Sequence, residues 1–203
     1  IPIKERFLLS GELEKTNEAY AISKIAGIKM CESFNIQYNT DFRAVMPTNL
    51  YGPNDNYDDL NSHVLAALIK KILKAKQKNK NRIVVWGNGN AKREFLHTYD
   101  LADACIKIMS LSKKNFLNIV EKDNQFINIG YGKEISIKEL TKLICKIINF
   151  HGTIKYDKTK PNGTYRKLID SSRMSKINWK PKISLTEGIG LVIKELNQSK
   201  IKY

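Results

Sequence analysis

Acidic residues, cysteines and long apolar runs are all scarce in this chain. Only 20 Asp and Glu stand against 35 Lys and Arg, which leaves a formal net charge of +15. The three cysteines, Cys31, Cys105 and Cys145, lie far apart and form no C-x-x-C. Buried thiols in a reducing compartment are therefore expected rather than disulfides or metal ligands, and no metal site is assigned. No stretch approaches the roughly 18 uncharged apolar residues of a membrane helix. The opening Ile1-Pro2-Ile3-Lys4-Glu5-Arg6 also lacks the apolar core of a signal peptide, so a cytoplasmic protein with no membrane partner is expected. With 203 residues, 42% of them hydrophobic, the chain can bury a core of ordinary size as one large or two small domains.

The positive charge suits an anionic partner such as nucleic acid, a membrane surface or a diphosphate-bearing small molecule. The basic residues are overwhelmingly lysine. The densest run, 70–80, reads as the solvated face of one helix, with Ile72, Leu73 and Ala75 turned inward. Specific nucleic-acid readers use arginine forks and stacking aromatics, and this run has neither, so no nucleic-acid partner is expected.

Along the chain, 1–17 is irregular and Thr16-Asn17-Glu18 opens an apolar-periodic helix over about 19–37. A short strand over 40–46 ends at Pro47, and Tyr51-Gly52-Pro53-Asn54-Asp55-Asn56 is a loop. A helix over about 62–78, a strand over 82–86, a turn Gly87-Asn88-Gly89-Asn90 and a helix over about 99–111 follow. Then come a strand over 126–130 and an amphipathic helix over 136–150 that starts at the Ser136/Glu139 capping box. A strand over 153–156, a polar loop, Leu168-Ile169-Asp170 and a final helix over about 185–198 complete the pattern. The alternation is that of an α/β protein. One element is missing: a strand, a Gly-rich turn and a helix of the kind that cradles a dinucleotide pyrophosphate. Gly87-Asn88-Gly89 and Gly130-Tyr131-Gly132 lack the third glycine and read as turns.

Tyr20 and Lys24 are four apart on a predicted helix, so their side chains share one face. A phenol ordinarily titrating near 10 is a poor proton shuttle at neutral pH, and an ammonium about 4 Å away offsets much of the cost of its anion. A tyrosine so placed can hand a proton to a carbonyl oxygen as hydride reaches the carbon. Spacing alone decides little, because Tyr156 and Lys160 repeat it in a loop before Pro161, where a helix is disfavoured.

Context decides for the first pair. The run 17–27, Asn-Glu-Ala-Tyr-Ala-Ile-Ser-Lys-Ile-Ala-Gly, followed by 45–53, Val-Met-Pro-Thr-Asn-Leu-Tyr-Gly-Pro, resembles the extended short-chain dehydrogenase/reductase family. Trp86-Gly87-Asn88-Gly89, Arg93-Glu94-Phe95-Leu96-His97 and the segment 161–168 continue the likeness in order, to members that epimerise and reduce GDP-sugars. The resemblance implies the C-terminal part of a Rossmann-type doubly wound parallel sheet plus a smaller α/β substrate-binding domain. On that pattern 1–55 and 97–150 belong to the NADP-binding domain, and 56–96 and 151–203 to the GDP-sugar domain.

The implied reaction is the NADPH-dependent conversion of GDP-4-keto-6-deoxy-D-mannose to GDP-L-fucose, with inversion at C3 and C5 before reduction at C4. Tyr20 is then the proton donor to the C4 oxygen, and Lys24 tunes it and holds the nicotinamide ribose. Pro47, Thr48, Asn49 and Leu50 pass beside the nicotinamide. His63 matches the acid/base histidine of epimerisation, also at the cofactor, and a group titrating near 6.5 suits protons made acidic by a neighbouring ketone. His97 and His151 are left structural.

Lys71, Trp86, Arg93, Asn162 and Lys167 fall at GDP-sugar positions, with Arg93 suited to grip diphosphate oxygens in bidentate fashion. Lys71 stands where Arg is common and Asn162 where Asp is usual, so a fork and an anion are lost there. The resemblance also places a Gly-rich cofactor loop, a Ser and a second acid/base Cys upstream of Ile1. Gly27 in mid-helix suggests close approach of another backbone, and the family pattern implies a homodimer. The alternatives are a sister nucleotide-sugar epimerase, dehydratase or reductase, which shares Tyr20 and Lys24 without needing His63, and a basic nucleic-acid-binding protein.

Overall fold

A computed structural model describes residues 2–58 and 61–198. In chain order the elements are α1 (Glu18–Tyr38), β1 (Ala44–Pro47), β2 (Asn49–Tyr51), α2 (Val64–Gln77), β3 (Arg82–Trp86), β4 (Lys92–His97), α3 (Thr98–Met109) and α4 (Lys113–Leu117). They continue with β5 (Phe126–Ile129), β6 (Glu134–Ser136), α5 (Ile137–Ile148), β7 (Thr153–Asp157), β8 (Arg166–Lys167), α6 (Ser172–Lys176) and α7 (Leu185–Gln198). The stretch 1–17, expected to be irregular, contains 3-10 turns at Glu5–Phe7 and Lys15–Asn17.

The chain forms two compact units. The first comprises Ile1–Thr48, Leu101–Gly132 and Leu168–Lys180, and the second Asn49–Asp100, Lys133–Lys167 and Pro181–Tyr203. This division by packing differs from the sequence expectation in four places: 49–55 and 97–100 fall in the second unit, where β2 pairs with β4, and two longer segments also change sides. Helix α5 joins the second unit because its buried face packs on α2 and α7. Leu168–Lys180 joins the first because Ile3 bridges Ile169 in parallel and Arg173 pairs with Glu5. The expected domain ends at 1 and 199–203 lie outside the described residues.

In the first unit β1 and β5 pair in parallel, from Ala44 opposite Phe126 to Pro47 opposite Ile129. Every residue of β5 is buried, as befits a strand covered on both faces. The N-terminal segment is locked beside it. The buried Glu5 accepts the Asn128 backbone N–H at 3.0 Å and faces Arg173 Nε at 3.5 Å. Arg173 Nη1 in turn donates to the Phe126 carbonyl at 2.7 Å. Arg43 donates to the carbonyls of Ile108, Met109 and Leu111, satisfying groups that the end of α3 leaves open, and its guanidinium lies over the Phe116 ring. Helix α1 buries only Ile28 and Glu32, while Ile22, Met30, Phe34, Ile36 and Tyr38 are exposed.

In the second unit β2, β4 and β6 form a sheet, with β8 also paired to β4. Strands β2 and β8 run parallel to β4 and β6 antiparallel. A separate parallel pair joins β3 to β7, with Trp86 opposite Asp157. The core is aliphatic: Leu65, Ile69, Ile72, Leu140, Ile144, Ile189 and Val192 are buried where α2, α5 and α7 meet. The Ser136/Glu139 capping box is present in full at the start of α5. The lysine run behaves differently from a solvated face. Lys70 donates to the Tyr57 carbonyl at 2.6 Å, Lys71 to Val84 at 2.8 Å and Lys76 to Ile148 at 2.6 Å, so three ammonium groups tie α2 to its neighbours.

Candidate functional site

Each unit carries its own group of the residues singled out by sequence. In the first, Asn17 occupies the N-cap position of α1 without a side-chain capping hydrogen bond, and Tyr20 falls in the opening turn. Lys24 follows one turn later, with Nζ 5.4 Å from the centroid of the Tyr20 ring. The Ser23 hydroxyl is occupied by the Tyr20 carbonyl at 2.7 Å, which leaves the phenol and ammonium as the polar pair on that face. Tyr20 is 66% exposed, so its hydroxyl is open to a ligand.

The segment expected beside a nicotinamide begins in the first unit and ends in the second. Pro47 closes β1, and the Thr48 N–H donates to the Ile129 carbonyl at 3.0 Å. Asn49 opens β2 opposite Phe95, its Nδ2 donating to the Glu94 carbonyl at 2.8 Å, and Leu50 pairs with Leu96. Strand β2 was not expected from the sequence, which ended the preceding strand at Pro47 and began a loop at Tyr51.

His63 occupies the N-cap position of α2 with extended backbone, and its carbonyl accepts the Ala67 N–H at 2.9 Å. The imidazole makes no capping hydrogen bond and is exposed, a placement compatible with acid/base work on a ligand.

The second unit brings together four of the five residues assigned to a GDP-sugar. Trp86 ends β3 and is 65% exposed. The segment 157–167 folds back across the end of β3 and the start of β4. The Asn162 side-chain oxygen accepts the Asn88 N–H at 2.7 Å, and Arg93 Nη1 donates to the Thr164 carbonyl at 2.6 Å and to Lys92 at 2.7 Å. At the end of the strap, Lys167 stands directly opposite Arg93 in the parallel β8–β4 pairing. Opposite residues in such a pair project from the same face, which places two basic residues on one face of the ladder. In the neighbouring Lys92–Arg166 pair, Glu134 lies 3.6 Å from Lys92 and 2.6 Å from Arg166.

Asn162, where an Asp was expected, retains the acceptor that the Asn88 N–H requires, so this contact survives the loss of charge. Lys71 is half-buried with its ammonium turned to the Val84 carbonyl, and burial pushes its pKa down. It borders β3 without joining the strap. Lys160, set aside in the sequence as half of an accidental pair, places Nζ 5.4 Å from the Trp86 ring centroid. Nothing in the loop composition signals that contact, which depends on the turn after β7. His97, read as structural, is buried, with Nδ1 accepting the Tyr99 N–H at 3.2 Å.

The three thiols are free, and the described residues hold no group of three or more His, Cys, Asp or Glu able to take a metal ion. No helix among them is long and apolar enough to cross a membrane.

The fold is Rossmann-type α/β, and residues 1–130 match the NAD dependent epimerase/dehydratase family. The chain belongs to that family. It is 49% identical over 188 residues to a probable GDP-L-fucose synthase of Oryza sativa, an alignment covering 93% of this chain and 55% of the relative. It is 47% identical to the GDP-L-fucose synthase of Escherichia coli, over 93% of this chain and 59% of that one. Among solved structures, a GDP-D-glycero-L-gluco-heptose synthase from Campylobacter jejuni, obtained in the presence of NADPH, superposes with a TM-score of 0.86 at 32% identity, covering 97% of this chain and 65% of the other. The chain thus spans little more than half the length of the curated relatives it matches.

Proposed function

We propose that the protein containing this chain converts GDP-4-keto-6-deoxy-D-mannose to GDP-L-fucose by 3,5-epimerisation followed by NADPH-dependent reduction at C4. The observation that carries this reading is the Arg93–Lys167 cross-strand pair at the end of the strap, whose Asn162 is bonded to Asn88, two residues beyond the exposed Trp86. Paired cations suit a diphosphate and an exposed indole suits a base. Likeness to GDP-L-fucose synthases at 47–49% identity supports the choice of sugar.

The residues present fit one end of the cofactor. An exposed phenol and ammonium on one face of α1 suit a nicotinamide ribose, and Pro47, Thr48, Asn49, Leu50 and His63 complete the proposed set for that end. The described residues contain no Gly-rich turn leading into a helix, the usual cradle of the pyrophosphate. When bound, NADPH supplies hydride to C4. Tyr20 gives its phenolic proton to the C4 oxygen, and Lys24 stabilises the phenolate left behind. Before that step His63 moves protons at C3 and C5, whose acidity comes from the adjacent ketone. Arg93 and Lys167 hold the diphosphate, and Asn162 keeps the strap in place. Lys71 supports β3 beside Trp86.

A homodimer belongs to the same proposal. Helix α1 leaves Ile22, Met30, Phe34, Ile36 and Tyr38 exposed, and a Cβ added at Gly27 would meet nothing within 4 Å, which is room for a second helix. The three free thiols support a cytoplasmic location.

The decisive assay incubates the full protein with GDP-4-keto-6-deoxy-D-mannose and NADPH. Formation of GDP-L-fucose is expected; turnover of UDP-glucose with no GDP-L-fucose would select a sister epimerase instead. Light scattering at micromolar concentration tests the dimer, and a stable monomer would refute it.

A further inference from the structure

Lys160 is held over Trp86 by a specific turn. Strand β7 ends at Asp157, opposite Trp86 in the β3–β7 ladder. The Asp157 carboxylate accepts both the Thr159 N–H at 3.0 Å and the Thr159 hydroxyl at 2.6 Å, and the Asp157 carbonyl accepts the Lys160 N–H at 3.3 Å. The Thr159 hydrogen bonds, with the charge of Lys160 beside them, hold the Asp157 carboxyl below its usual range. This turn brings the Lys160 ammonium to 5.4 Å from the indole centroid, although the side chain is otherwise exposed.

A base stacking on an exposed indole shares the ring with whatever already lies there. At Trp86 it meets an ammonium. A cation beside a stacked base is brought to one of that base's polar edges, and the bases differ in what they offer it. Guanine presents two adjacent acceptors, N7 and O6, whereas adenine presents one acceptor beside an N–H donor, which repels a second donor. Lysine is donor-only, with three N–H groups and no acceptor, so it rewards guanine and penalises adenine.

We infer that Lys160 is a specificity-determining residue of the nucleotide site, selecting guanine over adenine by donating to the acceptor edge of a base stacked on Trp86. The inference rests on the GDP-sugar reading and deepens it. Asp157 and Thr159 act as positioning residues that place the ammonium, and the ammonium exchanges its contact with the indole for one with the base.

The test is calorimetric titration of the full protein with GDP and with ADP, in the wild type, Lys160→Met and Lys160→Arg. The wild type is expected to favour GDP. Lys160→Met, which keeps the length and removes the donor, is expected to weaken GDP about tenfold and ADP less than twofold. Lys160→Arg is expected to retain most of the preference. Position 160 is exposed, so unchanged thermal midpoints are expected and serve as the folding control. Equal weakening of GDP and ADP would make Lys160 a general attractor of anions and overturn the inference, as would GDP affinity unchanged by Lys160→Met. Either result leaves the GDP-sugar reading standing. A wild type that binds neither nucleotide would overturn that reading, and this inference with it.

Discussion

Asn162 Oδ1 accepts the backbone N–H of Asn88 at 2.7 Å, and a Cβ placed on Gly87 would stand 2.7 Å from the same oxygen. Gly87 also has φ of +76°, where an L side chain is strained. The glycine thus permits both the turn and the docking of the strap that carries Lys160, Asn162 and Lys167. Gly87→Ala should cost about 1–2 kcal/mol in stability. It should also raise the Kd for GDP several-fold, because the strap is pushed off its anchor. Urea unfolding and calorimetry measure the two effects, and unaltered GDP binding would show that the strap does not serve the nucleotide.

Of the two chemical steps, His63 is assigned to epimerisation. His63→Asn should lower deuterium uptake from solvent at C3 and C5 by roughly two to four orders of magnitude. GDP affinity should stay within about twofold. Mass spectrometry of recovered substrate gives the exchange; wild-type exchange in this variant would remove His63 from the mechanism.

The Glu5–Arg173 contact is buried on both sides. Glu5→Gln removes the buried anion that faces the guanidinium, leaving the more exposed Glu121, 3.1 Å from Nη2, as its ion pair, and should cost about 3 kcal/mol. The double variant with Arg173→Met should cost less than the sum of the two single changes, since no buried charge then remains alone. Additive losses in urea melts would show that the two groups do not interact.

His97 supplies a pH dependence. Burial lowers its pKa, and nearby Asp100 offsets part of that shift. Its Nδ1 accepts a backbone N–H, and Nε2 has no hydrogen-bond partner among the described residues, so the neutral ring is the form that fits. Below about pH 6.5 the unfolded chain binds a proton that the folded chain does not. The His97 contribution is therefore complete above that pH and is lost as pH falls toward the depressed folded value. Thermal midpoints measured between pH 7.5 and 5 should decline more steeply in the wild type than in His97→Gln. Parallel curves would place the titration elsewhere.

The sequence shows helices where one face is apolar and a cap is explicit. Helix α5, with Ser136 and Glu139 exchanging hydrogen bonds at 3.1 and 3.0 Å, lies within the expected 136–150, and α7 matches its expected span. Strand β4 was missed because Lys92, Arg93 and Glu94 break any alternation of apolar and polar residues. Tertiary structure overrides that pattern, burying Glu94 and completing the ladders with β2, β6 and β8. Packing likewise decided the assignment of α5, since an apolar face does not name its partner. At the site, the Tyr20–Lys24 relation was readable because helix geometry fixes residues four apart. The contact between Lys160 and Trp86 was not, because 74 residues separate the two and only the β3–β7 register brings them together.

The pairing of Tyr20 with Lys24 as the reductive centre is tested most directly by Tyr20→Phe in the full protein. NADPH oxidation with GDP-4-keto-6-deoxy-D-mannose should fall by roughly two to four orders of magnitude. Deuterium exchange at C3 and C5, measured in the same samples, should persist near the wild-type rate. Loss of both activities together, or retention of reduction, would contradict the assignment of proton donation to Tyr20 and epimerisation to His63.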